Sequence, residues 1–218
     1  MMRASRARTT PKARPAYDLM RSGARIERRD IGRRGALEQP SATYVVHEGC
    51  DHIFFVGFLG VGKSTLARNL GQLFNRHYVD TDQLVERSLG KTVAEVFSED
   101  GEDFFRDVET VQLGHLRVRK SLLVSCGGGI IEREENCDLM HDMGVVVFLD
   151  GDLVDSLRQI RRPEKRPDLG TAAHAEELYC HRRPLYEGTA DITIDVRNRT
   201  FEQVALESGK LLWERGLL

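Results

Sequence analysis

The strongest structural constraint in this chain is a short segment at positions 57–65, which reads GFLGVGKST. It matches the phosphate-loop pattern of a glycine, four free positions and then Gly-Lys-Ser/Thr. In such a loop the backbone N–H groups turn inward and cradle phosphate oxygens, and the helix that follows adds the positive end of its dipole. The pattern assigns Lys63 to the β- and γ-phosphates and the hydroxyl of Ser64 to Mg²⁺.

The flanking residues decide whether this pattern is a phosphate loop or a glycine-rich turn with an incidental lysine. An apolar, β-prone run at residues 52–56 predicts a buried strand before it, and apolar residues recur at helical spacing after it. Strand, glycine loop and helix follow in the required order, so we expect a nucleoside triphosphate to bind here. The candidate contacts are Gly60, Val61, Gly62, Lys63, Ser64 and Thr65.

From about residue 44 onward, predicted strands alternate with predicted helices. Further strands are expected at 77–80, 121–125, 144–150 and 191–196, and helices at 104–117, 152–160, 175–186 and 201–213, with a short helix opening in a capping box at residues 92–95. Solidly apolar strands that alternate with helices favour a parallel sheet covered on both faces. We therefore expect one three-layer α/β/α domain over residues 46–218.

Residues 1–45 have a different composition, with ten arginines among few apolar residues. Such a segment cannot bury enough surface to offset the entropy of ordering, so we expect a disordered leader. A transit peptide and a nucleic-acid-binding arm are the alternatives, although four acidic residues and few serines are atypical of a transit peptide. A functionally silent tail is the default interpretation.

Bulk composition excludes several classes of protein. The formal net charge is −2, which gives no argument for nucleic acid or a membrane as partner. No apolar run approaches the roughly 20 residues that span a bilayer, and no signal-peptide core stands near the N-terminus. The four cysteines lack C-x-x-C spacing, so we expect free thiols in a reducing cytosol, a cytoplasmic location and no zinc site.

Two carboxylates stand at the predicted carboxyl end of the second strand, at Asp80 and Asp82. Ligands of open parallel sheets bind beyond this edge. In an extended chain the two side chains point to opposite sides, so one could hold a metal, often through water, while the other accepts the proton of an attacking hydroxyl. The alternative is that Asp82 is only the polar N-cap of a following helix.

Three further features could bind an anionic substrate. Arg106 and Glu109 share one helix face, either as an ordinary surface pair or as an anion clamp in which the carboxylate holds the guanidinium. The glycine triplet, Gly127–Gly129, favours close approach of a ligand to the backbone. Arg182 is a further candidate clamp. The basic loop at 161–174 is either solvated surface or a mobile lid that delivers a cation to a transferring phosphoryl group.

Taken together, these motifs resemble the shikimate kinase family. The resemblance runs from about residue 52 to the C-terminus and rests on the phosphate loop, Asp-x-Asp at 80–82, Phe-Arg-x-x-Glu at 105–109, the glycine triplet, Arg-Pro at 166–167 and Arg-x-Pro-Leu-Tyr at 182–186. It implies a nucleoside-monophosphate-kinase-like fold with a five-stranded parallel sheet. It also implies transfer of the γ-phosphoryl group of ATP to the 3-hydroxyl of shikimate, by a monomer.

On the acceptor side, the resemblance implies that Asp82 binds the shikimate hydroxyls and acts as the base. It implies that Arg106, Arg182 and the glycine triplet (Gly127, Gly128 and Gly129) grip the substrate carboxylate, with Glu109 orienting Arg106. A pocket with an aspartate for hydroxyls and two arginines for a carboxylate suits such an acceptor chemically.

On the donor side, the resemblance implies that Asp80 joins Ser64 in the Mg²⁺ shell and that Arg166 reaches the transferring phosphoryl from the lid. Looser candidates for contacts with the adenine are Arg161 or Arg162 and the turn at Arg197 and Asn198. The sequence departs from the usual family pattern at Asp168 in the lid and at Cys126 before the glycine triplet.

Two rival functions stay open at this point. A kinase for gluconate would also meet a carboxylate and hydroxyls, although the Asp-x-Asp and the glycine triplet speak against it. A nucleotide-dependent regulatory protein would use the arginine-rich leader on nucleic acid, with steeply salt-dependent binding.

Overall fold

The structure is a computed structural model, and it describes residues 51–160 and 171–218. Five strands form one sheet within this part of the chain: β1 (His52–Val56), β2 (Tyr78–Asp80), β3 (Leu123–Ser125), β4 (Gly144–Asp150) and β5 (Ile192–Asp195). Their order across the sheet is β2-β3-β1-β4-β5, and every neighbouring pair is parallel. The predicted five-stranded parallel sheet is therefore confirmed.

Helices connect these strands and cover the sheet. In chain order they are α1 (Lys63–Phe74), α2 (Thr81–Leu89), α3 (Val93–Glu99), α4 (Glu102–Gly114), α5 (Glu134–Met143), α6 (Leu153–Gln159), α7 (Ala172–Thr189) and α8 (Phe201–Glu214), with short 3₁₀ segments at His115–Val118 and Ile130–Glu132. None of the helices in the described part of the chain is long and apolar enough to cross a membrane.

The sheet is buried on both faces because its central strands are mostly apolar. All five residues of β1 are buried, and successive ones point to opposite sides. Phe54 and Val56 pack into one hydrophobic cluster, whereas Ile53 and Phe55 pack into a second one with the apolar face of α1. The three-layer α/β/α architecture follows from this pattern.

The carboxyl ends of three neighbouring strands bring the predicted site residues together. β1 leads into the phosphate loop, β2 ends at Asp80, and β3 ends at Ser125 before the glycine triplet. Ser125 is the register partner of both Phe55 and Asp80. The motifs that are far apart in the sequence therefore meet at one edge of the sheet.

Several boundaries differ from the sequence predictions. The helix expected at 175–186 begins at Ala172, because the Thr171 side chain caps it by accepting a hydrogen bond from the N–H of His174. The predicted lid at 161–174 therefore includes the start of α7. Helix α5 and the 3₁₀ segment at residues 130–132 were not predicted. The leader (1–45) and residues 161–170 lie outside the described residues.

Candidate active site

The phosphate loop has the backbone conformation that its glycines permit. Gly57, Gly60 and Gly62 all have positive φ angles, of 140°, 81° and 102°. At Gly60 a β-carbon would also lie 2.1 Å from the carbonyl oxygen of Ser156. The first helix begins within this segment, at Lys63, so its N-terminal N–H groups face the same space as the loop.

The Lys63 side chain lies along the loop itself. Its Nζ donates hydrogen bonds to the carbonyl oxygens of Gly57, at 2.7 Å, and Phe58, at 2.9 Å. The side chain is nearly buried, with 8% exposed. These bonds hold a positive charge at the loop, where phosphate oxygens would need it.

A hydrogen-bonded group of oxygens lies beside Lys63. Ser64 Oγ donates to Asp80 Oδ2 at 3.0 Å and lies 2.8 Å from Ser125 Oγ. Tyr78 also donates to Asp80 Oδ2, at 3.0 Å, and burial together with the Asp80 charge raises the pKa of Tyr78 to about 12. The tyrosine therefore stays a neutral donor at physiological pH.

Asp80 and Asp82 have different partners. The prediction attributed this to an extended chain, but the structure has a different cause. The chain is not extended through residue 82, because α2 already begins at Thr81. Asp80 is the N-cap and accepts from the N–H of Gln83, so the alternative assignment of the cap to Asp82 was wrong. Asp82 lies in the first turn of α2 and faces the glycine triplet.

The glycine triplet is surrounded by the charged side chains that the sequence singled out. A β-carbon on Gly127 would lie 2.5 Å from Asp82 Oδ1 and 2.7 Å from Glu109 Oε1. On Gly129 it would lie 2.0 Å from Nη2 of Arg106. These distances are too short for any side chain, so the absence of side chains lets the three groups approach the backbone.

Gly128 completes this arrangement from the other side. A β-carbon there would lie 3.5 Å from Nη1 of Arg182 and 3.2 Å from the side chain of Leu59. Its carbonyl accepts a hydrogen bond from the hydroxyl of Tyr186, and both Arg182 and Tyr186 come from α7. The neighbouring N–H of Gly127 donates to Thr81 Oγ1 at 2.8 Å.

Arg106 is a buried cation and not a surface pair. It is 6% exposed, and Nη1 donates to Glu109 Oε2 at 2.8 Å while Nη2 donates to Glu102 Oε1 at 2.9 Å. Burial opposes its charge, but Glu109 and Glu102 more than compensate, so the pKa of Arg106 is raised. The guanidinium therefore stays charged, as an anion clamp requires.

Glu109 is fully buried, with 0% exposed. Burial raises its pKa to about 7, the Arg106 charge opposes that shift, and the charge of Asp82 adds to it. Oε1 of Glu109 and Nε of Arg106 are buried without a hydrogen-bond partner. A buried polar atom of this kind costs free energy unless a ligand or water satisfies it, which is typical of a binding site.

Arg182 is the second buried guanidinium, with 1% exposed. Its Nε donates to Glu132 Oε1 at 2.7 Å, and Glu132 Oε2 lies 3.7 Å from Nη2 of Arg106. Glu132 was missed by the sequence analysis, as was Ser125. Their positions, three residues after the glycine triplet and two residues before it, were the available signal.

One cavity of about 190 Å³ joins the two halves of this site. Phosphate-loop residues line one side, and the ends of β2 and β3 line the other, including Asp80, Asp82, Ser125, Gly127 and Gly128. The lining does not include Arg106, Arg182 or Gly129. These residues adjoin the cavity through Gly127 and Gly128, which do line it. This cavity therefore places the phosphate loop and the carboxylates of Asp80 and Asp82 on facing sides of one space.

Among the remaining candidates, Arg197 does not line this cavity. Arg197 lines a second cavity with Asn198 and α6, and it pairs with Asp195 at 2.8 Å. That contact lowers the pKa of Asp195 to about 2. The predicted contacts Arg162 and Arg166 lie outside the described residues.

Comparison with known proteins now identifies the family. The sequence model named shikimate kinase matches residues 59–212 of the chain. The chain belongs to the shikimate kinase family. This confirms the resemblance drawn from the motifs, and it makes the protein an enzyme of the kinase class.

Individual shikimate kinases are similar along nearly their whole length. The protein from Dictyoglomus turgidum is 34% identical over 160 residues, which cover 70% of this chain and 92% of that protein. Shikimate kinase 1 from Sodalis glossinidius is 39% identical over 158 residues, covering 71% and 89%.

The fold agrees with solved structures of the same family. Shikimate kinase from Acinetobacter baumannii, solved in complex with shikimate, has a TM-score of 0.73 and 32% identity, covering 78% of this chain and 97% of that one. The enzyme from Aquifex aeolicus has a TM-score of 0.64 and 28% identity, covering 76% and 98%.

One departure from the usual shikimate kinase pattern can be placed in the structure. Cys126 is 2% exposed and its Sγ lies 3.9 Å from Met140 Sδ. Burial raises the pKa of this thiol well above its ordinary value, so it stays protonated and packs as an apolar side chain. The second departure, Asp168, lies outside the described residues.

Proposed function

We propose that the chain transfers the γ-phosphoryl group of ATP to the 3-hydroxyl of shikimate, giving shikimate 3-phosphate for aromatic amino acid biosynthesis. Membership of the shikimate kinase family supports this acceptor over gluconate. The single observation that carries the proposal is the burial of two guanidinium groups, Arg106 and Arg182, against the glycine triplet, whose first two residues line the phosphate-loop cavity.

The acceptor site follows from that geometry. The carboxylate of shikimate is bound by Arg106 and Arg182, because a guanidinium offers two parallel donors that match a carboxylate. Glu109 holds the guanidinium group of Arg106 in position, because its Oε2 accepts a 2.8 Å hydrogen bond from Nη1. The triplet lets Asp82, Arg106 and Arg182 approach the backbone and line the acceptor site, since the glycines carry no side chains of their own.

Asp82 is proposed as the base. It lines the cavity and its Oδ1 lies against the backbone of Gly127, between the arginine pair and the phosphate loop. A carboxylate there can bind the ring hydroxyls and accept the proton of the 3-hydroxyl as the oxygen attacks phosphorus. Such a positioned base contributes roughly 10²–10⁴-fold to a rate.

The donor is proposed to bind along the phosphate loop, at Gly60, Val61, Gly62, Ser64 and Thr65. Lys63 would exchange its bonds to loop carbonyls for bonds to the β- and γ-phosphates. The nucleoside would extend toward the cavity at Arg197. Arg162 and Arg166, which belong to the segment 161–170, are assigned to the nucleotide and to the transferring phosphoryl.

The residues present fit a magnesium ion. Ser64 Oγ and Asp80 Oδ2 lie 3.0 Å apart in the cavity, and hard oxygen ligands suit Mg²⁺. Asp80 also accepts from Tyr78 and from the N–H of Gln83, which holds its carboxylate in place and favours a contact through water. Held by Ser64 and Asp80, the ion would act as a Lewis acid that offsets the negative charge of the phosphates.

The domain organisation is also proposed from these data. Residues 46–218 form the kinase domain, residues 1–45 are a silent leader, and the lid is narrowed to residues 161–171 because α7 begins at Ala172. The enzyme is proposed to act as a cytoplasmic monomer, which light scattering of the purified chain would test.

The deciding experiment is release of ADP from ATP and Mg²⁺ with shikimate as the only acceptor. Turnover with shikimate, and none with gluconate, is the expected result. Phosphorylation of gluconate without shikimate would overturn the proposal.

The same assay on a chain lacking residues 1–45 should give unchanged turnover. Salt-dependent nucleic acid binding that is lost on truncation would instead support the regulatory alternative.

A further inference from the structure

The two arginines assigned to the substrate carboxylate already hold a carboxylate of the chain itself. Glu132 is the last residue of the 3₁₀ segment that follows the glycine triplet. Its Oε1 accepts from Arg182 Nε at 2.7 Å, and its Oε2 lies 3.7 Å from Arg106 Nη2. The glutamate therefore bridges the two guanidinium groups.

The acidic side chains paired with the two arginines already balance much of their charge. Arg106 and Arg182 contribute two positive charges, Glu102 and Glu132 contribute two negative ones, and Glu109, whose pKa burial raises to about 7, contributes part of a third. The carboxylate of shikimate would add a further negative charge. Because uncompensated charge in a buried site is unfavourable, one of the three glutamates should leave the pair when the substrate arrives.

Exposure and geometry distinguish the three glutamates. Glu109 is 0% exposed and is held inside the domain by α4, so it cannot leave. Glu102 is 49% exposed and bonds to one arginine, at Nη2 of Arg106. Glu132 contacts both arginines, and its side chain keeps 25% exposure, which gives it a route to solvent.

We propose that Glu132 occupies the place of the substrate carboxylate in the empty site and swings out when shikimate binds. The inference rests on the proposed function, because it assumes that the arginine pair binds the substrate. Glu132 then lowers the affinity for shikimate, while it keeps both buried guanidinium groups paired in the absence of substrate. It is a specificity-determining residue in competition with the substrate.

The test compares Glu132→Gln with the wild-type full-length chain. Because a charge-assisted hydrogen bond is stronger than a neutral one, the Kd for shikimate by calorimetry and the KM should fall by about three- to tenfold, with kcat unchanged. The melting temperature of the free protein should fall as well, since the arginines lose a charged partner. Saturating shikimate should remove that difference.

Two other substitutions serve as comparisons. Glu134→Gln, at an exposed position in the first turn of α5, should change neither binding nor stability. Glu102→Gln removes a partner of Arg106 alone and should lower the KM less than Glu132→Gln does. Glu132→Asp keeps the charge but shortens the side chain, so it should also lower the KM for shikimate. This variant provides the test if Glu132→Gln fails to fold.

An unchanged or raised KM in both Glu132 variants would overturn the proposal, because it would mean that Glu132 only positions Arg182. This result is distinct from failure of the proposed function. Absence of shikimate turnover in the wild-type chain would reject the function itself, whereas normal wild-type turnover with no gain in the variants would reject only the competition.

Discussion

Gly129 and Arg106 lie so close together that a β-carbon at residue 129 would stand 2.0 Å from the Nη2 atom. The guanidinium therefore occupies the volume that any other residue at position 129 would fill. This contact couples the glycine triplet to the arginine on α4, although the two are remote in sequence. Backbone and guanidinium together form one wall of the proposed acceptor site.

Gly129→Ala should displace Arg106 and weaken shikimate binding. Overpacking costs roughly 1–3 kcal/mol, which corresponds to a KM raised by about five- to a hundredfold if the arginine bears the cost. Gly188→Ala is the matched control, because a β-carbon there meets nothing within 4 Å and the residue lies inside α7. The measurement is the steady-state KM for shikimate of both variants. Equal KM values for Gly129→Ala and Gly188→Ala would contradict the close contact.

Arg106→Lys should raise the KM for shikimate while changing kcat less. An ammonium cannot make two parallel bonds to a carboxylate, and loss of a charge-assisted bond costs roughly 1.5–3 kcal/mol, or about ten- to a hundredfold in binding. Arg117→Lys provides the control, since its pair with Asp142 is exposed on both sides. A KM that stays at the wild-type value would refute the clamp.

Asp82→Asn should lower kcat by roughly 10²–10⁴-fold, because an amide cannot accept the proton of the attacking hydroxyl. Nucleotide affinity should be unchanged, since the phosphate loop keeps its structure. Asp107→Asn, which removes an exposed pair with Arg133, should retain full activity. Pre-steady-state phosphoryl transfer measures the step directly, and a kcat within twofold of wild type would exclude Asp82 as the base.

His52 should make the domain less stable in mild acid. It is buried, its Nδ1 accepts from the N–H of Leu122 at 3.2 Å, and its Nε2 lies 3.0 Å from the Leu116 carbonyl oxygen. Burial, as the largest cause, lowers its pKa from the ordinary 6.5, so below pH 6.5 the unfolded chain binds a proton that the folded chain does not. Stability is therefore complete above that pH and declines as the pH falls.

Urea unfolding at about pH 7.5 and about pH 5.5 measures this effect. His52→Gln should be less stable at both values but should lose less between them than the wild type does. His115→Gln, at an exposed position, should lose as much free energy of unfolding between the two pH values as the wild type does. If all three proteins lose the same amount, His52 is ruled out as the titrating group.

The parts of the fold that sequence predicted correctly are those with local signals. The strand at 52–56, the phosphate loop and the start of α1 follow one another in the chain, and each has its own pattern. The capping box at Thr92 and Glu95 likewise forms as predicted, because both partners lie within one turn.

The parts that were missed depend on contacts between distant residues or on weak local signals. Helix α5 has no side-chain cap at its N-terminus, and its first turn contains two glutamates and no apolar residue. The N-cap of α2 is Asp80 and not Asp82, because α2 begins at Thr81, one residue before Asp82. The contact of Glu132 with Arg182 joins a 3₁₀ segment to α7, which no local pattern reports.

The central claim is that a buried pair of arginines recognises the substrate carboxylate beside the phosphate loop, and a comparison of kcat/KM for shikimate and its methyl ester tests it most directly. The wild-type chain should prefer shikimate by roughly a hundredfold, as expected for loss of charge-assisted bonds, and Arg106→Lys should reduce that preference. Equal kcat/KM values for acid and ester in the wild-type chain would contradict the account.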